Sequence, residues 1–578
     1  MVGRPPGDTA LTEARRGGHD DTSGGDPQPA PASGIGLEAG RRPRAWHTDP
    51  DRRVSLGFAL VALLAFQLVR ARYPVEWDGA QLVLGLDRFD VSNGTPHPPG
   101  YWLYIAVGRL VRAVTWLDGA AALTLVSSMA AAATVGLTHA LGRSMGGRLV
   151  GSVAAGLVLT SPFLWFYAAS VDTYTLDALA CVVLLSLAWH ARPGGWHGLA
   201  AAGSLGLAAG FRQTSLLLFA PLAVVAMART ARGVRAWAAG AVIGAVAVGL
   251  WLVPMLVEQP GGVAAWRESS DALLEGSVDQ TAFYAGTADV VTRNMSQGAT
   301  YATVAFLPAG LVGVAAAVQR RRRGGTASVA SVEERSARPL WPSGAALAAL
   351  AAGPALVFLV VIHFGKAGYL LAALPAGVLL LTAPVGWLPR RARGAVAVAA
   401  LLVCALSAQR FLVGAGVVPE ALVDATPLYV TSSVNGAPFP FTRAAVADSD
   451  RLTSDYLALA DDFDPDRDVL VWGWLNGGDR YRHATLTLPG FTTSFVRDSL
   501  HVHTARGGRW RTDPDTTLEV PRGGRAVFAL AHVPPDLELL LDAGRARAVR
   551  LPTGPTVWVV EPGVTLLGVD VVEGDVSV

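Results

Sequence analysis

Long apolar runs alternate with short polar stretches over most of the first 413 residues. A helix that crosses a bilayer needs about 20 apolar residues, and most of the runs approach that length. The pattern predicts about eleven transmembrane helices, at 54–71, 120–142, 148–168, 172–190, 197–210, 212–228, 236–257, 298–318, 341–362, 369–388 and 393–413. We therefore expect an α-helical polytopic membrane protein.

Arginine clusters occupy every second turn between these helices. They are Arg143 and Arg148; Arg192; Arg229, Arg232 and Arg235; Arg320 to Arg323; and Arg390, Arg391 and Arg393. Short loops that carry such clusters remain in the cytoplasm. With eleven helices, all clusters fall on the side of the N-terminus. The pattern predicts a multi-pass cell-membrane protein with a cytoplasmic N-terminus and an extracytoplasmic C-terminal part.

The segment 100–117 is apolar enough for a further span, but that span would reverse the orientation of every later loop. Arg109 and Arg112 lie three residues apart, so a helix would place both on one face. An amphipathic helix on the outer membrane surface fits this pattern better. We therefore predict one long extracytoplasmic loop over 72–119.

The two ends of the chain differ from the apolar part. Residues 1–50 are rich in Pro, Gly, Asp and Arg and predict a disordered cytoplasmic tail. The domain at 51–413 is transmembrane, and 414–578 predicts an extracytoplasmic soluble α/β or α+β domain. Its short β-type runs are DVLVWGW, TLTLPGF, RAVFALAHV, ARAVRLP and TVWVVE, and its helical patterns are LTSDYLALADDF and PPDLELLLDAG. The stretch 414–450 has no assignment.

The composition agrees with a membrane protein. Only 16% of the 578 residues are charged, against roughly 25% in soluble domains. Lys366 is the one lysine, and the preference for Arg, Ala, Gly and Val indicates a GC-rich, bacterial source. Cys181 and Cys404 both lie in apolar runs. We therefore expect no disulfide framework and no zinc site. A net charge of +2 gives no indication of a nucleic-acid partner.

The loop after the first helix concentrates the groups that glycosyl transfer needs. It carries the acids Glu76, Asp78, Asp87 and Asp90, and also His97. A carboxylate can accept the proton of an acceptor hydroxyl, and a nearby cation can hold a phosphate. Glu76, Asp87 and Asp90 also suit surface or capping positions. Arg212, predicted at an outer membrane face, could meet a lipid phosphate or extend its head group to water.

The order of these motifs resembles the GT-C membrane glycosyltransferases, and most closely their protein O-mannosyltransferase-like branch. The resemblance rests on Asp78 in EWDGAQL, on HPPGY at His97 to Tyr101, and on the amphipathic segment that follows. It implies that Asp78 is the catalytic residue. Asp172 occupies the family's acid-containing turn in SVDTYTLDAL, although an N-cap role would also explain it. Relatives often carry a second acid close after the aspartate, whereas here that place holds Gln81.

A later segment extends the resemblance to roughly 55–410. In HFGKAGYLLAALPAG, Lys366 and Tyr369 fill the places of a basic residue and a tyrosine before a helix with a proline. Interfacial anchoring would explain both residues equally well. The candidate substrate-binding residues are Glu76, His97, Tyr101, Asp172, Arg212, Lys366 and Tyr369. No metal ligand is predicted; a divalent metal is compatible with the site, but no ligand spacing indicates one, so the cofactor stays open.

The resemblance implies a hexosyltransferase of the cell envelope. Its donor would be a polyprenyl-phosphate sugar, with mannose as one candidate, and its acceptor a protein or glycan. Membrane lipid would be a further partner. The alternative is a polytopic transporter or flippase of a lipid-linked or cell-envelope substrate, but the sequence shows no convincing internal repeat. A scaffold that displays the C-terminal domain would not need about eleven helices.

Overall fold

The fold comes from a computed structural model. It describes residues 50–574 except 276–280, 282–286, 323–340, 362–365, 414–430, 435–436, 474–479, 498–500, 507–508, 512–516, 531–532 and 553–555. Apart from Pro50, the predicted tail lies outside the described residues. The same holds for Arg323 and for the His363 to Gly365 part of the late motif.

Helices make up the described chain from residue 50 to residue 413. They are α1 (Pro50–Leu68), α2 (Trp77–Asp87), α3 (Trp102–Thr115), α4 (Gly119–Gly146), α5 (Arg148–Leu159), α6 (Pro162–Ala169), α7 (Tyr174–His190), α8 (His197–Phe211), α9 (Thr214–Thr230), α10 (Val234–Glu258), α11 (Gly262–Glu275), α12 (Thr287–Arg322), α13 (Trp341–Val361), α14 (Leu374–Thr382) and α15 (Arg390–Val413). Short 3₁₀ helices at Ala367–Ala372 and Ala383–Trp387 flank α14.

Every predicted span coincides with helical structure, but not every one is a single helix. Among the described residues, five helices are long and apolar enough to cross a membrane: Gly119–Gly146, Val234–Glu258, Ala288–Arg322, Gly344–Val361 and Arg390–Val413. A sixth span results if α5 and α6, bent by 58°, are counted together. The break falls before Pro162, whose ring nitrogen carries no hydrogen to continue the helix. The count of eleven stays a prediction.

The loop between α1 and α4 folds into two helices that pack on each other. Arg109 on α3 donates hydrogen bonds to the carbonyl oxygens of Leu86 and Gly85, at 2.9 and 3.0 Å. Arg112 donates to Asp87 at the end of α2. The two arginines therefore share one helix face, as their spacing predicts. That the helix lies on the membrane surface stays a prediction.

Twelve strands follow α15 in the described chain. They are β1 (Thr431–Val434), β2 (Ala437–Pro440), β3 (Val469–Gly473), β4 (Thr492–Arg497), β5 (His501–Arg506), β6 (Arg509–Arg511), β7 (Thr517–Val520), β8 (Ala526–Ala529), β9 (Ala546–Arg550), β10 (Thr556–Val560), β11 (Val564–Leu566) and β12 (Val569–Glu573). The helices among them are α16 (Arg443–Asp462), α17 (Arg480–Thr487) and α18 (Pro535–Asp542). We call residues 431–574 the strand-containing region.

The strand-containing region is built on a mixed seven-stranded sheet of order β6-β5-β4-β3-β8-β10-β9. Buried β3 pairs in parallel with both β4 and β8. Four of the five predicted β-type runs contain strands, β3, β8, β9 and β10, and both helical patterns lie in helices. The region also meets the helical part, because Phe441 packs edge to face on Phe163 and Phe166 with ring centroids 5.0 Å apart.

The prediction for TLTLPGF was wrong, because its first residues form the end of α17. Thr and Leu alternate there with period two, which imitates a strand. Ala484 and Leu488, four residues apart, are instead buried together beside Trp472. That spacing places them on one helix face. Pro489 and Gly490 then prevent the helix from continuing.

Helices α4 and α5 approach closely at Gly151. A methyl group there would lie 2.5 Å from the carbonyl oxygen of His139 and 2.9 Å from the backbone nitrogen of Arg143. Both are backbone atoms of α4 that cannot move without shifting the helix. We expect Gly151→Ala to cost about 1–3 kcal/mol of stability, as overpacking does. Thermal unfolding in detergent micelles would show a lower midpoint.

Gly249 on α10 is the matched control, since nothing lies within 4 Å of a methyl group placed there. Gly249→Ala should leave the midpoint unchanged or raise it slightly, through the higher helix propensity of alanine. Equal midpoints for the two variants would contradict the close packing of α4 on α5.

Candidate active site

Five separate segments bring the predicted residues to one place beside the ends of several helices. Glu76 and Asp78 begin α2, and His97 and Tyr101 precede α3. Asp172 lies in the turn between α6 and α7, and Arg212 between α8 and α9. Lys366 and Tyr369 lie before α14. All eight predicted site residues thus surround one group of charges.

Lys366 is at the centre of this group. Its Nζ lies 2.9 Å from Oε2 of Glu76 and donates a shorter hydrogen bond to Oδ2 of Asp78. The side chain of Glu76 is buried, and those of Asp78 and Lys366 are 19% and 16% exposed. Glu76 is therefore neither a surface acid nor a side-chain cap, although it stands at the N-cap of α2. Asp78 keeps access from outside.

His97 faces the other oxygen of Asp78. Its Nδ1 lies 3.8 Å from Oδ1 of Asp78, and its ring centroid lies 4.9 Å from that of Tyr101. Tyr101 has a φ of 47°, a left-handed conformation that is uncommon for an aromatic residue. The backbone before it is tied down, since Trp266 on α11 donates a 2.9 Å hydrogen bond to the carbonyl oxygen of Pro99. The HPPGY motif thus presents His97 and Tyr101 on a held turn.

Asp172 forms a buried wall of the site. Its Oδ1 accepts a 2.6 Å hydrogen bond from the backbone nitrogen of Thr173, while its Oδ2 is buried without a hydrogen bond. The helix begins one residue after Thr173, so Asp172 stands just before the N-cap position that its sequence context suggested. Tyr167 reaches the same wall, where its hydroxyl donates to Oε1 of Glu76 at 3.5 Å.

Arg212 is buried between two tyrosines and does not extend to water. Its guanidinium carbon lies 4.0 Å from the ring centroid of Tyr174 and 4.6 Å from that of Tyr369. Its Nε lies 2.9 Å from Oδ2 of Asp177, and its Nη1 donates to the hydroxyl of Thr173. The cation is thus partly neutralised and stacked, which fixes its position beside the site.

Burial and the neighbouring charges shift the pKa values of the two aspartates in opposite directions. Burial alone would raise the pKa of Asp78, but the charge and hydrogen bond of Lys366, together with the positive charge of its other neighbours, hold that pKa well below its usual range. Burial, followed by the negative charge of Glu76, raises the pKa of Asp172 well above its ordinary value. Burial lowers the pKa of His97 to about 4. Burial therefore favours the uncharged forms of Asp172 and His97, whereas the neighbouring positive charge favours the ionised form of Asp78.

The other loop acids take structural partners. Asp87 is exposed and pairs with Arg112. Asp90 is buried and pairs with Arg88. It also accepts a hydrogen bond from Gln259, the residue that follows α10. Neither lies among the groups that surround Lys366.

The structure adds residues that sequence reasoning missed. Asp177, Tyr167 and Tyr174 contact Arg212 or Glu76. Asp177 carried a signal, because an acid within a predicted span points to a functional or paired position. The tyrosines gave none, since aromatic residues are common at membrane interfaces. Among the described residues, no group of three His, Cys, Asp or Glu side chains could hold a metal ion.

The two carboxylates should keep Lys366 charged at high pH. Burial lowers the pKa of Lys366, but Asp78 and Glu76 together raise it well above its ordinary value of 10.5. The stability from this pair is complete below that ordinary value and is lost as pH rises through the folded pKa. As Lys366 is the one lysine, ¹⁵N-lysine labelling gives a single side-chain NMR signal. It should titrate above 10.5 in the folded chain; a midpoint at or below that value would contradict the ion pair.

Comparison with known proteins bears on the family resemblance and the fold. Residues 90–235 match the family model of the protein O-mannosyl-transferase TMEM260 N-terminal domain. None of the curated proteins matches the chain. Among solved structures, ArnT from Cupriavidus metallidurans bound to undecaprenyl phosphate is similar, with a TM-score of 0.52 and 13% identity over 88% of this chain and 98% of that one.

The same ArnT in its apo state gives a TM-score of 0.50 and 14% identity, over 88% of this chain and 97% of the other. At this identity the likeness establishes the fold alone, which is ArnT-like and of the GT-C type. The predicted resemblance to GT-C membrane glycosyltransferases, and to their protein O-mannosyltransferase-like branch, is thereby confirmed.

Proposed function

We propose that this chain is a membrane hexosyltransferase that moves a sugar from a polyprenyl-phosphate-linked donor to a protein or glycan acceptor. Mannose is the first candidate, because residues 90–235 match a protein O-mannosyl-transferase domain. The fold is shared with an ArnT that binds undecaprenyl phosphate. The arginine-rich turns support a site on the extracytoplasmic side of the cell membrane.

The observation that carries the proposal is the contact between Lys366 and Asp78 opposite His97. It joins, in one partly exposed place, a carboxylate that can accept a proton and a cation that can hold a phosphate. An ion pair with a purely structural role would not need His97 and Tyr101 beside it, on a turn whose backbone is fixed by a hydrogen bond. The segments that carry these groups lie at the ends of several helices.

In the proposed reaction, the acceptor hydroxyl oxygen attacks the anomeric carbon of the donor sugar. The bond between that carbon and the phosphate oxygen breaks, and its electron pair leaves with the phosphate. Asp78 orients the hydroxyl and takes up its proton. The products are the glycosylated acceptor with inverted configuration and a polyprenyl phosphate.

The cations handle the charge that develops during this step. The donor phosphodiester carries one negative charge, and the departing phosphate monoester carries nearly two. Lys366 Nζ already contacts Asp78 and Glu76, so a phosphate that enters can draw it away from Asp78 while Glu76 retains it. Losing that contact raises the pKa of Asp78 and makes it a better base. Arg212 and Tyr369 line the adjoining side of the site.

Removing the charge of Asp78 should abolish transfer. We expect Asp78→Asn to lower transfer of radiolabelled mannose from a polyprenyl-phosphate donor by about 10²-fold or more, because the acceptor loses its base. Asp87→Asn is the matched control, since Asp87 lies on the same helix and is exposed. Protein levels and thermal midpoints in membranes are compared first.

Equal transfer by wild type and Asp78→Asn would remove Asp78 from the chemistry. Wild type that transfers no hexose from any polyprenyl-phosphate donor, but moves a labelled lipid-linked sugar across vesicles, would favour the transporter alternative instead.

Lys366 should matter for holding the donor. A hydrogen bond to a charged group contributes about 1.5–3 kcal/mol, so Lys366→Gln should raise the KM for the donor roughly ten- to a hundredfold. The chain offers no second lysine, so Arg547→Gln, an exposed change on β9, serves as the control. An unchanged donor KM with a lower kcat would indicate that Lys366 acts on Asp78 alone.

A further inference from the structure

Helix α17 of the strand-containing region has two buried faces. Ala484 and Leu488 pack into the core of that region beside Trp472. Leu486 packs instead against the apolar cluster that contains Leu82, Val83 and Leu86 of α2. His483 is also buried on this second side. The helix therefore joins the region to the part of the loop that begins with Asp78.

Two polar contacts fix the backbone that leads into α2. Nε2 of His483 lies 2.7 Å from the carbonyl oxygen of Pro74, which can only accept, so the histidine donates. The carboxylate of Asp450 on α16 accepts from the backbone nitrogens of Arg72 and Tyr73 at 2.9–3.0 Å. These backbone groups lie within six residues of Asp78. The segment is thus held from the strand-containing region as well as from α2 itself.

Arg482 reaches the neighbouring turn. A methyl group placed on Gly94 would lie 2.8 Å from Nη1 of Arg482 and 2.8 Å from Nε2 of Gln81. Gln81 lies one helical turn after Asp78 and donates to the carbonyl oxygen of Gly94. The positive charge of Arg482 also lowers the pKa of both Asp78 and His97. Its guanidinium therefore stands at the edge of the site.

We propose that the face of α17 formed by Arg482, His483 and Leu486, together with Asp450, is a working part of the candidate site. Asp450 and His483 are positioning residues that hold the start of α2, so that Asp78 meets Lys366. Arg482 supplies a further positive charge beside Asp78 and His97. The catalytic part of this inference rests on the proposed function, whereas its geometric part does not. It assigns a role to the strand-containing region.

The test uses the full chain with ¹⁵N-labelled lysine, so that Lys366 gives one signal. Asp450→Asn is the main variant, because its side chain is partly exposed and the change conserves shape. His483→Leu removes the donor to Pro74, and Arg482→Gln is compared with Arg482→Lys. Arg547→Gln on exposed β9 is the control. Each variant is measured for the Lys366 signal and for kcat and donor KM in sugar transfer.

We expect Asp450→Asn and His483→Leu to shift the Lys366 signal and to lower kcat by about tenfold or more, since small misplacements of a reacting group are costly. Arg482→Gln should lower kcat similarly, and Arg482→Lys should restore most of it. The control should change neither reading. If His483→Leu fails to fold, Asp450→Asn carries the test.

Unchanged lysine signals in Asp450→Asn and His483→Leu would overturn the proposal. A shifted signal with wild-type transfer would also overturn it, because α17 would then touch the site without serving it. If wild type transfers no sugar at all, the proposed function fails on its own. The lysine signal alone then decides whether α17 holds the site together.

Discussion

The arrangement depends on a single ion pair that joins distant parts of the chain. Lys366 meets Asp78 across 288 residues, and Glu76 holds the same ammonium group from its other side. Removing such charges from water is costly, and each needs close partners to offset that cost. The two acids come from the first turn of α2, and the lysine comes from the segment before α14. The pair therefore requires the helical scaffold between them to be in place.

The other buried cation near this pair has its own partners. Arg212 is matched by Asp177 and stacked between tyrosines, so its position is fixed independently of Lys366. Asp172 is buried, and its burial together with the negative charge of Glu76 raises its pKa, which favours the uncharged form. One carboxylate, that of Asp78, therefore remains both ionised and partly exposed. This asymmetry is what a site needs when one acid must act on an incoming hydroxyl.

Much of this could be predicted from the sequence, because the signals were local. Apolar periodicity placed the helices. The acid-rich loop, the HPPGY motif, the SVDTYTLDAL turn and the lysine segment identified seven of the eight predicted site residues, and the predicted topology identified Arg212. The sequence could not show that Glu76 is buried or that Lys366 bridges two acids, since these follow from packing across hundreds of residues. The break before Pro162 divided one expected span. α17 was misassigned because its Thr-Leu alternation hides a helix with two buried faces, and Arg482 gave no local signal.

The most direct test of the account is a structure of the full chain with bound undecaprenyl phosphate, solved by cryo-electron microscopy in lipid nanodiscs. The account predicts phosphate density within about 3 Å of Lys366 Nζ, the usual length of a charge-assisted hydrogen bond, with His97 and the Asp78 carboxylate facing it. Phosphate bound away from Lys366, with the Lys366–Asp78 contact intact, would contradict it.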